Sequence, residues 1–197
     1  MSDRAGTVGE PPGHNQRQTE AKALMAALAN GERAALARLI ALFGPGIRRY
    51  AAQALTVPTE AEDVAQEVFL RAWSRAAGYD PDKGAVSSWL YRIAVNLCID
   101  HNRRGGFRRF VGIDSLPEPE DESPGAEAGL AARQRLTQVR RAIKTLPERQ
   151  RQAILLKAAG ELSGTEIAAA LGTSEGAVEQ LLVRARARLR ALMEKED

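Results

Sequence analysis

The sequence predicts an all-α protein made of two small helical domains joined by a flexible acidic linker. Apolar residues recur at spacings of three and four along most of the 197-residue chain, and no segment shows sustained period-two alternation of β-branched residues. The apolar fraction of 44% and the charged fraction of 27% are typical of a globular protein with one or two small domains. Periodicity and composition therefore favour the same fold class.

The distribution of charge divides the chain into four parts. Residues 21–111 and residues 131–197 each carry 13 Lys and Arg against 8 Asp and Glu. Residues 112–130 contain six acidic side chains, no basic ones and three prolines, a composition typical of a linker. Residues 1–20 are predicted to be a disordered tail. Two basic domains indicate a polyanionic partner bound at two places, because Lys and Arg release counterions from phosphates. Ordinary solvated helix faces remain the alternative.

Glycine and proline delimit the helices of the first domain. We expect these helices near residues 19–30, 32–43, 46–56, 60–76 and 86–104. Gly31 ends the first helix, and the Gly44-Pro45-Gly46 run breaks the second. Thr59 and Glu62 form a capping box for the fourth.

All nine aromatic residues lie in the first domain. We expect Phe69 and Trp73 in its core, because aromatic rings contribute strongly to core packing. Tyr79 and Trp89 flank a polar loop beside a helix that ends in arginines, where exposed rings can stack on unpaired bases. For these two rings, core packing and base stacking are both open.

Residues 163–193 carry the pattern of a helix-turn-helix. A capping box from Ser163 to Glu166 opens one helix, Gly172 ends it, and Thr173 caps the next. Gly172 also provides the left-handed turn that the motif requires, and Val178 provides the apolar anchor after it. Polar residues at the start of the second helix then face base edges in the major groove. The candidate DNA contacts are Thr173, Ser174, Glu175, Glu179, Gln180, Arg184 and Arg186. A plain helical hairpin is the alternative.

Several function classes are excluded or disfavoured. No apolar stretch approaches the roughly 20 residues needed to cross a bilayer, and the first twenty residues contain no signal-peptide h-region, so we expect a cytoplasmic protein without membrane insertion. We expect no cofactor, because the sequence shows neither a phosphate-binding Gly-rich loop nor a metal-ligand cluster. An enzyme using Cys98, Asp100 and His101 is a weak alternative, since the cysteine lies beside the core stripe and no oxyanion feature accompanies it.

Four segments, in order, resemble bacterial RNA polymerase sigma factors. They are TEAEDVAQEVFLRAWSRA, YDPDKGAVSSWLYRIAVNLCIDHNRR, LPERQRQAILL and LSGTEIAAALGTSEGAVEQLLVRARARLRAL. The chain resembles the small extracytoplasmic-function (ECF) group, which keeps only the second and fourth sigma regions, over about residues 21–193 apart from the linker. The resemblance implies a non-enzymatic initiation factor that binds core RNA polymerase and promoter DNA and is controlled by an anti-sigma factor.

The resemblance also implies roles for individual residues. Asp63, Gln66 and Glu67 would dock on the clamp helices of core polymerase, although helix solubility alone explains acidic residues there. The second segment would read and melt the minus-ten promoter element through Tyr79, Lys83, Trp89, Arg92, Asn96 and Arg103. The helix-turn-helix would bind the minus-thirty-five element, with Glu179 and Gln180 where some relatives have basic residues. The competing interpretation is a helix-turn-helix regulator that binds DNA without polymerase.

Overall fold

A computed structural model describes residues 13–110 and 127–194. Among these residues there are eight α-helices and no strand, which confirms the predicted all-α class. The helices are α1 (His14–Ala29), α2 (Arg33–Ala54), α3 (Ala61–Arg75), α4 (Val86–Phe110), α5 (Glu127–Lys144), α6 (Glu148–Ala158), α7 (Gly164–Leu171) and α8 (Glu175–Met193). Short 3₁₀ turns at Pro58–Glu60 and Ala76–Gly78 flank α3.

Helices α1 to α4 pack around one another to form the first domain. Its core contains Leu39, Phe43 and Ile47 of α2 together with Val64 and Val68 of α3, all of which are buried. Spacings of three and four place these side chains on one face of each helix, so burial follows directly from the periodicity of the sequence.

Helix α2 runs through the Gly44-Pro45-Gly46 run, so the predicted break at this point is wrong. A proline inside a helix costs about 3 kcal/mol because its N–H is missing and its ring crowds the preceding turn. Phe43, Ile47 and Tyr50 nevertheless continue one buried face across the proline. Burying three such side chains contributes about 1.5–3 kcal/mol each, which outweighs the local penalty.

Two further local predictions in the first domain are wrong. Thr59 and Glu62 do not form a capping box, because Pro58 starts a 3₁₀ turn and α3 begins only at Ala61 without a side-chain cap. Trp73 is 39% exposed, with the Arg33 guanidinium carbon 5.7 Å from its ring centroid. Phe69, by contrast, is buried as predicted.

Helices α5 to α8 form the second domain. Its core is aliphatic, and α6, α7 and α8 pack against one another through Leu156, Ile167, Leu171, Val178 and Leu182. Small aliphatic side chains let three short helices approach closely. The two domains also touch each other, since α7 packs along α4 and α6 packs on α2.

The predicted ends of the tail and the linker differ from the helix boundaries. Helix α1 begins at His14, so residues 14–20, predicted as tail, are helical. The Arg17 guanidinium helps to hold this first turn, because it donates to the Leu42 carbonyl and lies 5.3 Å from the centroid of the Phe43 ring. Helix α5 begins at Glu127, before the predicted linker end at residue 130. The other residues of the predicted linker, 112–126, lie outside the described part of the chain. Across the described ranges, no helix is long and apolar enough to span a membrane.

Candidate functional surfaces

An acidic face runs along α3, opposite the side chains that it buries. Asp63 and Gln66 are exposed, while Val64 and Val68 point into the core. The Glu67 carboxylate accepts a hydrogen bond of 2.7 Å from Arg71 Nε one turn later. The three residues predicted to dock on polymerase therefore share one accessible face, and Glu67 is held in place on it by an ion pair.

An apolar groove between α2 and α3 borders this acidic face, and the sequence analysis missed it. The groove has a volume of about 470 Å³, and Gln66 forms part of its wall. Ile40 and Leu70 also line it and are 42% and 58% exposed. The available signal was Leu70, an apolar residue that falls outside the buried α3 stripe. Together the groove and the acidic residues form a surface suited to an amphipathic helix with basic residues.

Tyr79, in the loop before α4, packs against Trp89 in the first turn of α4. The ring centroids of Tyr79 and Trp89 are 5.6 Å apart at an interplanar angle of 60°. Tyr79 Oη donates a hydrogen bond of 2.8 Å to the Gly84 carbonyl and thereby closes the loop. Burial raises the pKa of the Tyr79 hydroxyl. Lys83 forms an ion pair of 3.0 Å with Asp80, and the hydrogen bond from Lys83 lowers the pKa of that carboxyl.

The polar face of α4 extends from this loop along the helix. Arg92 and Asn96 are exposed on the side of Trp89, and Arg103 lies two turns further on. Arg103 is paired with Asp100 at 3.1 Å on the same helix, so its charge is locally compensated. Beside the loop lies a recess of about 230 Å³ lined by Tyr79, Lys83, Trp89 and Arg92. The residues predicted to contact the minus-ten element therefore share one face of α4 and its loop.

The helix-turn-helix has the local geometry that its sequence predicts, apart from one cap. Ser163 and Glu166 make the reciprocal hydrogen bonds of a capping box at the start of α7. Gly172 ends α7 in the left-handed conformation, with φ 62°. The predicted Thr173 cap is wrong, because α8 is capped by Ser174, whose Oγ accepts from the Ala177 N–H. This turn aligns the start of α8 with open solvent.

The candidate minus-thirty-five residues are all exposed on the second domain. Val178, Leu182 and Ala185 bury the opposite side of α8 and fix its rotation. Arg184 Nε donates a hydrogen bond of 3.1 Å to the Gln180 carbonyl one turn earlier. The exposed set comprises Thr173, Ser174, Glu175, Glu179, Gln180, Arg184 and Arg186.

The alternative enzyme site is not assembled as a catalytic group. Cys98 is buried, and burial raises the pKa of its thiol to about 12. His101 Nδ1 lies 3.1 Å from Glu60 Oε2, whereas Asp100 pairs with Arg103. A thiol with so high a pKa is a poor nucleophile at neutral pH. Within residues 13–110 and 127–194, no group of three or more metal-ligating side chains comes together.

Comparison with known proteins places both domains in one family. Residues 39–108 match the model of sigma-70 region 2, and residues 136–189 match that of sigma-70 region 4. Two helical domains with these matches, the second carrying a helix-turn-helix, define a sigma-70-type transcription initiation factor rather than an enzyme.

Curated relatives narrow the class. The chain is 35% identical over 182 residues to the RNA polymerase sigma factor CnrH of Cupriavidus metallidurans. The aligned region covers 88% of this chain and 94% of CnrH. It is 33% identical over 183 residues to the ECF RNA polymerase sigma factor RpoE of Cereibacter sphaeroides, covering 89% of this chain and 96% of that protein. The chain belongs to the ECF RNA polymerase sigma factors.

Solved structures agree with this assignment. CnrH in complex with the cytosolic domain of CnrY superposes with a TM-score of 0.71 at 30% identity, covering 90% of this chain and 99% of CnrH. RpoE in complex with the anti-sigma factor NepR from Bartonella quintana gives a TM-score of 0.66 at 25% identity, covering 80% of this chain and 95% of that one.

Proposed function

We propose that this ECF sigma factor directs core RNA polymerase to promoters with two spaced elements and helps to open the duplex. One observation carries the proposal. The same chain combines an exposed reading face on a helix-turn-helix with an aromatic and basic face on α4, and its α3 has an acidic face beside an apolar groove. A regulator that binds DNA without polymerase needs only the first of these surfaces.

Each surface has a distinct role in this proposal. Asp63, Gln66 and Glu67 bind core polymerase, where an acidic face complements basic residues on the partner. Trp89 stacks on an unpaired base, and Asn96 makes paired hydrogen bonds to a base of the minus-ten element. The remaining predicted minus-ten residues are Tyr79, Lys83, Arg92 and Arg103.

The start of α8 reads the minus-thirty-five element in the major groove. Glu179 accepts a hydrogen bond from cytosine and Gln180 pairs with adenine, each contact discriminating by about 1–3 kcal/mol. Arg184 and Arg186 contribute phosphate contacts, which add affinity but no sequence preference.

We also propose control by an anti-sigma factor in the cytoplasm. Two of the similar solved structures are complexes of sigma factors, one with the cytosolic domain of CnrY and one with the anti-sigma factor NepR. The apolar groove beside the polymerase-docking face is a surface that such a partner can cover. Core polymerase, promoter DNA and an anti-sigma factor are therefore the expected partners.

Run-off transcription from a genomic promoter library tests the proposal. Purified core polymerase is assayed with and without the protein, and transcript starts are sequenced. We expect discrete protein-dependent starts that share two spaced elements. If active core polymerase yields no new starts while the protein alone binds a duplex site, the polymerase-independent regulator is the correct interpretation.

A further inference from the structure

Helix α4 buries two faces, and only one of them packs inside its own domain. Leu90 and Ala94 face the first-domain core, as the sequence periodicity predicts. Tyr91 and Val95 lie about a quarter turn away and are also buried, at 2% and 4% exposure. The second domain covers this additional face, since α6 and α7 pack against the first domain here. The two domains therefore share one continuous apolar core.

Tyr91 is enclosed by glycines from both domains. A Cβ on Gly46 of α2 would clash with the Tyr91 hydroxyl, and a Cβ on Gly160 would lie 3.0 Å from Tyr91 Cε1. Tyr50 packs edge-to-face on the same ring, with centroids 6.1 Å apart. Close packing of a large ring between two glycine backbones is the complementarity expected of a specific interface.

A polar cluster lies at one end of this interface. Glu166 of α7 is only 6% exposed, and its Oε1 accepts a hydrogen bond of 2.7 Å from Gln18 Nε2 of α1 and another from Ser87 Oγ of α4. Gln18 also donates to Ser87 Oγ at 2.8 Å. Its Oε2 at the same time accepts a hydrogen bond of 2.8 Å from the Ser163 N–H in the capping box of α7. The first helix of the helix-turn-helix is thus bonded directly to two helices of the first domain.

A second polar contact lies in the loop between α6 and α7. Glu161 adopts a positive φ of 58°, a conformation that costs a non-glycine residue about 1–2 kcal/mol. Its carboxylate lies 3.7 Å from Arg17 and 3.4 Å from Arg49, both of the first domain. Arg49 also donates to the Ala159 carbonyl at 3.1 Å. Contacts between the domains thus hold the loop in a strained conformation.

This arrangement excludes simultaneous engagement of both promoter elements. Ala169 of α7 forms part of the wall of the recess lined by Trp89 and Arg92. A Cβ on Gly172, in the helix-turn-helix turn, would lie 3.2 Å from Arg92 Nη2. Elements centred near minus ten and minus thirty-five are about 25 base pairs apart, or about 85 Å at 3.4 Å per base pair. Domains in contact cannot span that distance.

We propose that the Gln18–Ser87–Glu166 cluster and the Glu161 ion pairs form an intramolecular latch that holds this sigma factor closed and must open before promoter binding. Arg17 and Gln18 belong to α1, which lies before both matched family regions, residues 39–108 and 136–189. The latch therefore depends on a helix outside those regions. The regulation rests on the proposed function. A closed form lowers the apparent promoter affinity by the fraction of molecules that are open.

Single-molecule energy transfer between the domains tests the latch on the full-length protein. Cysteines are introduced at Ala34 and Ala187, which are exposed on α2 and α8, in a Cys98→Ala background, because Cys98 lines a recess with Glu148 and Leu155 of α6 and opening would expose its thiol. Gln18→Ala removes the amide donor from the cluster. Its matched control is Thr19→Ala, whose hydroxyl bonds only within α1, to the Asn15 carbonyl. Circular dichroism verifies that each variant remains folded.

We expect the wild type and Thr19→Ala to populate mainly the high-transfer state. In Gln18→Ala the ratio of open to closed molecules should rise about tenfold, because the closed form loses a hydrogen bond to the charged Glu166 carboxylate. Run-off transcription at limiting protein concentration rises in the same order. A wild type that is open, or a Gln18→Ala variant no more open than Thr19→Ala, overturns the latch.

A charge reversal provides an independent variant. We expect Glu161→Lys to open the chain, because it places a cation against Arg17 and Arg49. Adding Arg49→Glu restores an ion pair of opposite polarity and should restore closure. The control is Glu194→Lys at the exposed end of α8, which should leave the chain closed. Failure of Arg49→Glu to reverse the opening overturns the ion-pair part of the latch. The transfer measurement needs no polymerase. Opening by these variants without protein-dependent transcription in any of them therefore keeps the latch and refutes the proposed function.

Discussion

At the scale of single residues, helical spacing decides which charges are already paired on a candidate binding face. Glu67 pairs with Arg71 four residues later, and Arg103 pairs with Asp100 three residues earlier. Exposed pairs of this kind contribute only about 0.3–0.5 kcal/mol to stability. A partner can therefore recruit such charges at little cost to the fold.

The first prediction concerns Glu67. Glu67→Arg should weaken binding to core polymerase at least tenfold, because it reverses the charge at the centre of the acidic α3 face, while the midpoint of thermal unfolding stays within a few degrees. Binding is measured by fluorescence anisotropy with labelled protein. Glu20→Arg is the matched control, since it also removes an exposed ion pair, with Arg38, from the same domain. Equal affinity for the two variants would remove Glu67 from the docking face.

The second prediction concerns the pH dependence contributed by Cys98. Burial raises the pKa of this thiol from 9.0 to about 12, so the unfolded chain loses the proton first as the pH rises. The stabilisation from this group is complete below pH 9 and is lost between pH 9 and pH 12. The free energy of unfolding should fall by up to about 1.4 kcal/mol per pH unit in that window.

Urea denaturation between pH 8 and pH 10.5 measures this slope. Cys98→Ala is less stable at every pH because it leaves a cavity, but its slope should be shallower than that of the wild type. Parallel curves for the two proteins would show that the thiol does not titrate differently on folding.

At the scale of elements, local sequence features determine where the helices of the helix-turn-helix begin and end, and packing determines how they are rotated. The Ser163 capping box and the left-handed Gly172 are local features that fix where α7 begins and ends. The rotation of α8 depends instead on burial of Val178 and Ala185 against neighbouring helices. Caps set the ends of these helices, and the apolar face sets which residues reach solvent.

The third prediction compares two glycines in this motif. Gly172→Ala should lower the free energy of unfolding by about 1–2 kcal/mol, because alanine is disfavoured at φ 62°. Gly176→Ala, inside α8 with open space around its Cα, should raise it by up to about 1 kcal/mol. Urea denaturation compares both variants with the wild type. A neutral Gly172→Ala would mean that the turn relaxes into another conformation.

At the scale of the whole molecule, the two domains form one core rather than two. The buried cluster extends from Ala21 of α1 to Leu182 of α8 without interruption between the domains. Tyr91 joins them through contacts with Gly46 and Gly160. We therefore expect the two domains to unfold cooperatively.

The fourth prediction tests that cooperativity. Both tryptophans lie in the first domain, so their fluorescence reports mainly on that domain, whereas circular dichroism at 222 nm reports on the helices of both. We expect the two urea transitions to coincide in the wild type and to separate in Tyr91→Ala. Separate transitions in the wild type would contradict a shared core.

Much of the fold and of the candidate surfaces could be predicted from the sequence. The all-α class, the Ser163 capping box and the Gly172 turn follow from period and local chemistry, which require only neighbours along the chain. The failures have two causes. The break at Pro45 and the burial of Trp73 were judged locally, whereas packing between distant helices decided them. The caps at Thr59 and Thr173 failed because each helix begins slightly later in the chain than the local pattern predicts.

Local periodicity was enough to predict most of the helices, the helix-turn-helix and the faces that carry the charged residues, because a helix repeats every 3.6 residues whatever surrounds it. Packing between distant helices decided that the groove between α2 and α3 is open and that α7 lies on α4. It also decided that Gln18, Ser87 and Glu166 meet. The reason is that these contacts join residues up to 148 positions apart, and no local pattern encodes which helical faces will be brought together.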